Sequence, residues 1–384
     1  MIAWLLISFF VLLFLGVPIA MSLGLSAMGG ILFLGGGSTV TIAQRMFEGM
    51  NSFALLAIPL YTFAGFTMSK GGISKRLMDF CYSIVGHIYG GLAHVNVLSS
   101  MIFAGISGSA VADTAGVSGM FMPEMVRKGY SKNFTVAVTA ISSTIGIIIP
   151  PSIPMVVIAG ICGISTGKLF LGGIIPGILC GLAQMIVSYF LAKKEGVPKE
   201  PGHFTIGPVL HGLWESWPAL LMPIIIVGTI TMGIVSPTEA GVIAVVYGLF
   251  AGGIIYRELK WEDIKFAFAE TVRTSGRIFI VIGAAKLYTV MLTTAGFDKW
   301  VAKTMLGFST NPTVILIMIL LIFFIVTMFM ESIATLTLFM PILYPIALGV
   351  GINPIVLSVL ITVVIGVGLV TPPVGMCIYV ACDL

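Results

Sequence analysis

Apolar runs about 20 residues long, the length of helix that crosses a bilayer, recur through this chain at residues 1–24, 52–68, 134–162, 169–192, 218–235, 238–256, 278–295, 313–330 and 354–382. In hydrocarbon a backbone must satisfy its own N–H and C=O groups, which leaves helices and closed barrels. Continuous rather than alternating apolar runs select helices. The fold class expected is therefore an all-α polytopic membrane protein. With 58% hydrophobic residues, 9% charged and a mean hydropathy of +1.13, a soluble domain is excluded.

The run from Met1 to Gly24 has no basic leader and no small-residue cleavage site, so it reads as a retained helix. Cys81, Cys162, Cys180, Cys377 and Cys382 lie mostly in apolar runs and read as small hydrophobes, with no disulfide framework expected. Lys and Arg cluster at Lys70, Lys75 and Arg76; at Arg127, Lys128 and Lys132; at Lys193, Lys194 and Lys199; and at Arg257, Lys260 and Lys265. Treating the last three clusters as cytoplasmic gives consistent crossings between them. After Lys303 there is no basic residue, which predicts that the loop near 345–353 faces the other side.

The most polar interruption, KKEGVPKEPGHF at 193–204, divides the chain. This predicts a first half at 1–192, a linker and interfacial helix at 193–217 around HGLWESWP, and a second half at 218–384. RELKWEDIKFAFAETVRTSGR (257–277) also mixes tryptophan with charge, as interfacial helices do; for each of these two segments an ordinary solvated loop is the alternative reading. The halves repeat one another. ADTAGVSGMFMP (112–123) matches MESIATLTLFMP (330–341), which sets Asp113 over Glu331 and Thr114 over Ser332. Asn133 matches Asn353, and TIGIIIPPSIPM (144–155) matches GVGLVTPPVGM (366–376).

Each half thus predicts a re-entrant hairpin, at about 95–125 and 318–348, followed by a broken helix, at about 134–162 and 354–382. Paired prolines after a glycine remove backbone donors and unwind a helix. At membrane depth such backbone survives only where it is buried in protein or lines a cavity. Interruptions at corresponding places in two halves are the sequence pointer to a transporter's substrate site. The basic cluster after the first hairpin, absent after the second, predicts inverted repeats.

The first hairpin turns at GISGSAVADT, where Ser107, Ser109 and Thr114 offer hydroxyl oxygens and the backbone from Gly146 to Ile149 offers carbonyls for a dehydrated Na+. By repeat logic a second cage pairs Thr327, Glu331, Ser332 and Thr335 with the carbonyls of Gly366 to Thr371. Close helix packing by small residues is the alternative use of these positions. Asp113, Thr114, Pro150, Ser152, Glu331, Ser332, Thr335 and Pro372 are the residues expected beside the cages, touching substrate or supporting them. For Asp113 and Glu331, ion ligation and capping of helix N-termini are both open readings. Glu239 in SPTEAG reads as a capping residue; Lys286 is a cation in an apolar run, free to snorkel or to neutralise a carboxylate.

An intramembrane serine hydrolase built on Ser107 would need a histidine base, and His87, His94, His203 and His211 all precede the later apolar runs. An aspartyl protease would need two paired aspartates. No cofactor, transition-metal spacing or nucleic-acid partner is expected.

The segments IPLYTFAGFTMSKGGISKRL (58–77), GHIYGGLAHVNVLSSMIFAGISGSAVADTAG (86–116), GIIIPPS (146–152), GIVSPTEAGVIAVVY (233–247) and GLVTPPVGM (368–376) resemble the large membrane subunit of tripartite ATP-independent periplasmic (TRAP) transporters. The likeness runs through essentially the whole chain. It implies an elevator-type transporter of the ion transporter superfamily, with a scaffold and a mobile transport domain, in the bacterial inner membrane. It also implies a Na+-coupled symporter taking up an organic acid such as a C4-dicarboxylate or sialic acid. Two partners follow from it: a small four-helix membrane subunit, expected as a separate chain because Met1 opens on the first helix, and a soluble periplasmic substrate-binding protein. Carried over residue by residue, the resemblance places one Na+ at Ser107, Ser109, Gly146 and Ile149 and another at Thr327, Gly366, Gly368 and Thr371. Past TPPVGM the family pattern has a further membrane helix, expected to be missing here since the sequence stops at Leu384. A stand-alone Na+/carboxylate symporter of the same superfamily is the alternative.

Overall fold

A computed structural model describes residues 1–34, 38–197 and 204–384; the predicted linker thus falls partly outside the described residues, with Lys199 and His203. Among the described residues every regular element is a helix. The chain begins with α1 (Ile2–Phe14), α2 (Ile19–Leu34), α3 (Thr39–Met50), α4 (Ala57–Lys70) and α5 (Ile73–Val85). A run of shorter pieces follows: α6 (Gly91–Ser107), α7 (Ala110–Asp113), α8 (Gly119–Arg127), α9 (Lys132–Ser143) and α10 (Ile153–Cys162), closed by the long α11 (Thr166–Lys194). The second half holds α12 (Ile206–Thr231), α13 (Pro237–Phe250), α14 (Trp261–Thr294) and α15 (Phe297–Phe308). It ends with α16 (Pro312–Thr327), α17 (Ser332–Gly349), α18 (Pro354–Gly368) and α19 (Met376–Asp383). Among the described residues six stretches are long and apolar enough to cross a membrane: 53–70, 166–194, 206–231, 237–255, 261–294 and 332–349.

Three predicted segments fold differently in detail. The run 1–24, expected as one helix, is two: Gly16 turns left-handed at φ 81° and Pro18 has no N–H to continue the ladder. Conversely, α12 runs unbroken across the boundary drawn at 217–218, keeping Pro218 and Pro223 inside it. The charged segment 257–277 and the apolar run 278–295 join as the single α14.

Packing pairs the halves reciprocally. α4 lies along α13, and α3 along α14. The α4–α13 seam is close because Gly241 faces Leu60, Gly248 faces Met68 and Thr67, and Gly71 meets Gly252. Its N-terminal end is tied twice: Tyr61 Oη donates to the Pro237 carbonyl (2.8 Å) and Thr238 Oγ1 to the Phe53 carbonyl (2.9 Å). Glu239 and Ser236 form a full capping box at the start of α13, the role read for Glu239 from sequence. The hairpin and broken-helix pieces interlock in the same crossed manner, α10 on α17 and α19 on α9.

Candidate functional site

The polar stretch at 105–123 sits where four helix ends meet. α6 stops at Ser107 because Gly108 adopts a left-handed φ of 63°, and α7 starts at once, with Ser109 as its N-cap accepting from the Ala112 N–H. Across from this tip, α9 tightens through a 3-10 turn at Thr144–Ile147 and breaks at the Pro150-Pro151 pair. The chain resumes as α10, capped by Ser152, whose hydroxyl accepts from the Met155 N–H and donates to the Ile147 carbonyl. One backbone bond joins tip and break: the Ile153 N–H donates to the Gly108 carbonyl (3.1 Å).

The second half repeats that bond. α16 ends at Thr327, α17 starts after Glu331, α18 breaks at Pro372-Pro373, and the Val374 N–H donates to the Met328 carbonyl (3.1 Å). Both X-Pro bonds, 150–151 and 372–373, are cis. In each half, two helix C-termini bring unpaired carbonyls and two helix N-termini bring N–H groups to one place.

The glycines set the distances. A Cβ on Gly105 would lie 3.6 Å from the Pro150 carbonyl oxygen, and one on Gly108 would lie 2.7 Å from that of Pro151. Gly146 faces the Ser109 carbonyl (3.4 Å) and the Asp113 Cβ (3.6 Å). So the structure brings Ser107, Ser109, Asp113, Gly146, Pro150 and Ser152 together. Ile149, by contrast, seats its side chain in the notch that Gly177 leaves on α11. In the other half Gly368 abuts the Thr327 hydroxyl, whereas Gly366 faces Thr144 and Ile147 of the first broken helix.

Donor chemistry differs between the halves. Ser107 Oγ is buried and has no hydrogen-bond partner, an arrangement that costs free energy unless something else ligates it. Thr327 Oγ1 donates to the carbonyls of Phe323 (2.5 Å) and Phe324 (3.1 Å), and Thr371 Oγ1 to that of Val367 (2.6 Å). A hydroxyl that donates to its own helix keeps its lone pairs for another partner. Thr335 donates to the Glu331 carbonyl (3.1 Å), and Ser332 is buried in the first turn of α17. The first break is buried from Pro150 to Ser152, while Pro372, Pro373 and Val374 are exposed.

Of the two carboxylates, Glu331 holds the N-cap position of α17 without a side-chain cap bond. Asp113 is wholly buried at the end of α7, whose N-cap is Ser109. Cys377 on α19 reaches the hydroxyls of Thr114 and Ser143, the latter 2.6 Å from Thr114. Beneath them Asn96 joins Thr139 (3.1 Å) and Ser142 (3.0 Å), a buried bridge from α6 to α9 that sequence reading missed. Lone Asn, Ser and Thr residues carry no spacing signal across 40 residues of chain. Lys286 is exposed, its stem lying on Gly49 of α3.

A hydrolytic site has no support here. His94 sits thirteen residues before Ser107 on the same helix, about 20 Å along its axis. Its Nε2 is engaged by the Tyr89 carbonyl at 3.0 Å.

Comparison with known proteins meets this geometry. Residues 6–384 match the family model described as tripartite ATP-independent periplasmic transporter, DctM component. The chain is 38% identical over 97% of its length to the isethionate TRAP transporter permease protein DctMQ of Oleidesulfovibrio alaskensis, and spans 59% of that protein. It is 36% identical over 96% of its length to the sialic acid TRAP transporter large permease protein SiaM of Vibrio cholerae, covering 86% of it. To the C4-dicarboxylate TRAP transporter large permease protein DctM of Pseudomonas aeruginosa it is 37% identical over 94% of its length, covering 84% of that protein. In fold it is similar to the crystal structure of the YdaH transporter of Alcanivorax borkumensis, with a TM-score of 0.56 at 13% identity over 89% of this chain and 80% of that one.

Proposed function

Since the chain belongs to the family of tripartite ATP-independent periplasmic transporters, as a DctM component, we propose that it is the permease of a Na+-coupled importer of an organic acid anion. It is a multi-pass protein of the inner membrane, and it receives substrate from a periplasmic binding protein and works beside a small membrane subunit. The observation that carries the reading is the doubled closure of hairpin tip onto broken helix, Gly108 to Ile153 and Met328 to Val374. Discontinuous helices paired in this way present carbonyls to a cation and N–H groups to an anion at one depth.

The cation is cargo here, and the donor set suits it. Ser107 supplies a buried hydroxyl lacking a partner, and Thr327 and Thr371 supply hydroxyls with lone pairs to spare. The residues proposed for the two ions are Ser107, Ser109, Gly146 and Ile149 in the first half and Thr327, Gly366, Gly368 and Thr371 in the second; at Gly146, Ile149, Gly366 and Gly368 only the main chain serves. Isethionate, sialic acid and C4-dicarboxylates, the substrates named for relatives, share an anionic head, which the N-termini of α10 and α17 suit. The hairpins and broken helices move together as an elevator against the α3–α14 and α4–α13 pairs.

The test is uptake into proteoliposomes holding the complete transporter, with each of those three acids, its binding protein and an inward Na+ or K+ gradient. Uptake driven by Na+ alone, with the apparent Na+ affinity lowered about tenfold by Ser107→Ala, is expected, as for one lost bond to a charge. Equal uptake under K+ would overturn Na+ coupling; uptake without the binding protein would favour a stand-alone symporter.

A further inference from the structure

The first turns of α14 and the middle of α4 enclose a groove of about 340 Å³ that the transport reading leaves unused, lined by Phe63, Trp261, Ile264, Lys265 and Phe268. Residues 261, 264, 265 and 268 share one helix face, and Phe63 meets Phe268 edge to face at 6.5 Å between ring centres. The base of the groove is apolar, its rim carries a single cation, and no carboxylate lines it. Lys265 Nζ lies 5.9 Å from the Trp261 ring centre. Trp261 is 68% exposed and Phe268 64%.

Helix length sets the depth of this groove. At 34 residues α14 is about 51 Å long, against about 30 Å of hydrocarbon. Its charged first turns, with Glu262, Asp263 and Lys265, lie beside Lys70, the last residue of α4, whose Nζ is 4.7 Å from the Phe266 ring centre, and so sit at headgroup level, where tryptophan and lysine are at home. Glu270 is held by Arg273 (2.6 Å) and Asp263 caps the N–H of Lys260 (3.0 Å), so neither neutralises Lys265. A second groove, between Leu210, Leu213, Trp214 and Trp217, has no charged wall to select a headgroup.

We infer that the α4–α14 groove binds one anionic phospholipid, its phosphate on Lys265 and its acyl chain on Phe63, Ile264 and Phe268 beneath Trp261. The charge at the rim chooses the headgroup, and the aromatic base takes the chain. The lipid would thereby brace α14 where it leaves the bilayer.

The experiment titrates the purified transporter complex in neutral detergent with phosphatidylglycerol or phosphatidylcholine brominated on the acyl chains, reading tryptophan quenching. Phosphatidylglycerol is expected to half-quench at about fivefold lower concentration, the worth of one basic residue near an anionic lipid. Trp261→Phe removes the component of the quenching that saturates at low phosphatidylglycerol and leaves that of the other exposed tryptophans, Trp4, Trp214, Trp217 and Trp300. Lys265→Gln abolishes the fivefold preference and leaves phosphatidylcholine binding as it was, while Lys303→Gln on α15 changes nothing. Equal affinity for the two lipids, or a preference surviving in Lys265→Gln, overturns the headgroup assignment. Absence of Trp261-dependent quenching at saturating lipid overturns lipid occupancy altogether, as would follow if a protein partner covers the groove.

Discussion

At Gly108 the chain needs a residue that accepts a φ of 63° and has no side chain, since a Cβ there would press on the Pro151 carbonyl. Gly108→Ala is expected to cost at least the roughly 1–2 kcal/mol of a left-handed non-glycine residue, read as a lower unfolding temperature of the purified protein. Asp79, on the amphipathic α5 away from the candidate spans, presents a different residue-scale test. Partial burial raises its pKa above the ordinary carboxylate range, Glu215 adds to the rise, and Lys75 and Arg76 oppose it. The folded protein therefore holds that proton more readily than the unfolded one. The resulting stability is complete below the ordinary carboxylate range and lost as pH rises through the raised value. Asp79→Asn should unfold at a higher temperature than the parent at neutral pH, with the gap closing in acid; a gap independent of pH would show that the carboxylate's charge is not the cause.

At the scale of elements, the bond from the Ile153 N–H to the Gly108 carbonyl can be removed on its own. Ile153 is the first residue of α10, a position whose φ suits proline. Ile153→Pro deletes the donor and some apolar volume, whereas Ile153→Ala deletes volume alone. The proline variant should be less stable than the alanine one by about 1–3 kcal/mol, the cost of a buried carbonyl left unpaired, in matched denaturation curves. Equal stability would mean that the closure contributes nothing and that hairpin and break are held by side chains. Such pairings were only partly legible in the sequence. The double-proline breaks and the matching blocks around Asp113 and Glu331 announced themselves, but the crossed packing of α10 on α17 and α19 on α9 left no pattern in either segment.

For the whole molecule, Arg76 fastens the halves together. It bonds Glu258 (2.7 Å) and the Gly72 carbonyl (2.9 Å), covers the Tyr256 ring at 4.2 Å, and its own carbonyl accepts from Ser216 (2.8 Å). If the hairpin and broken-helix pieces form the mobile body, Na+ should slow amide exchange at residues 105–115, 144–153, 327–335 and 366–375 and leave α12 and α13 unchanged. Protection spread evenly over the chain would argue against a separate moving body. Helical class, membrane residence, the two breaks and the hydroxyl-rich hairpin tip were determined by sequence alone, because run length, proline and glycine act locally on the backbone. Which hydroxyl is left without a partner, that the first break is buried while the second is exposed, and that Asn96 bridges α6 to α9 were decided only by tertiary structure. Those properties depend on which distant segments arrive beside each residue, and in a chain this uniformly apolar hydrophobic patterning cannot tell one neighbour from another.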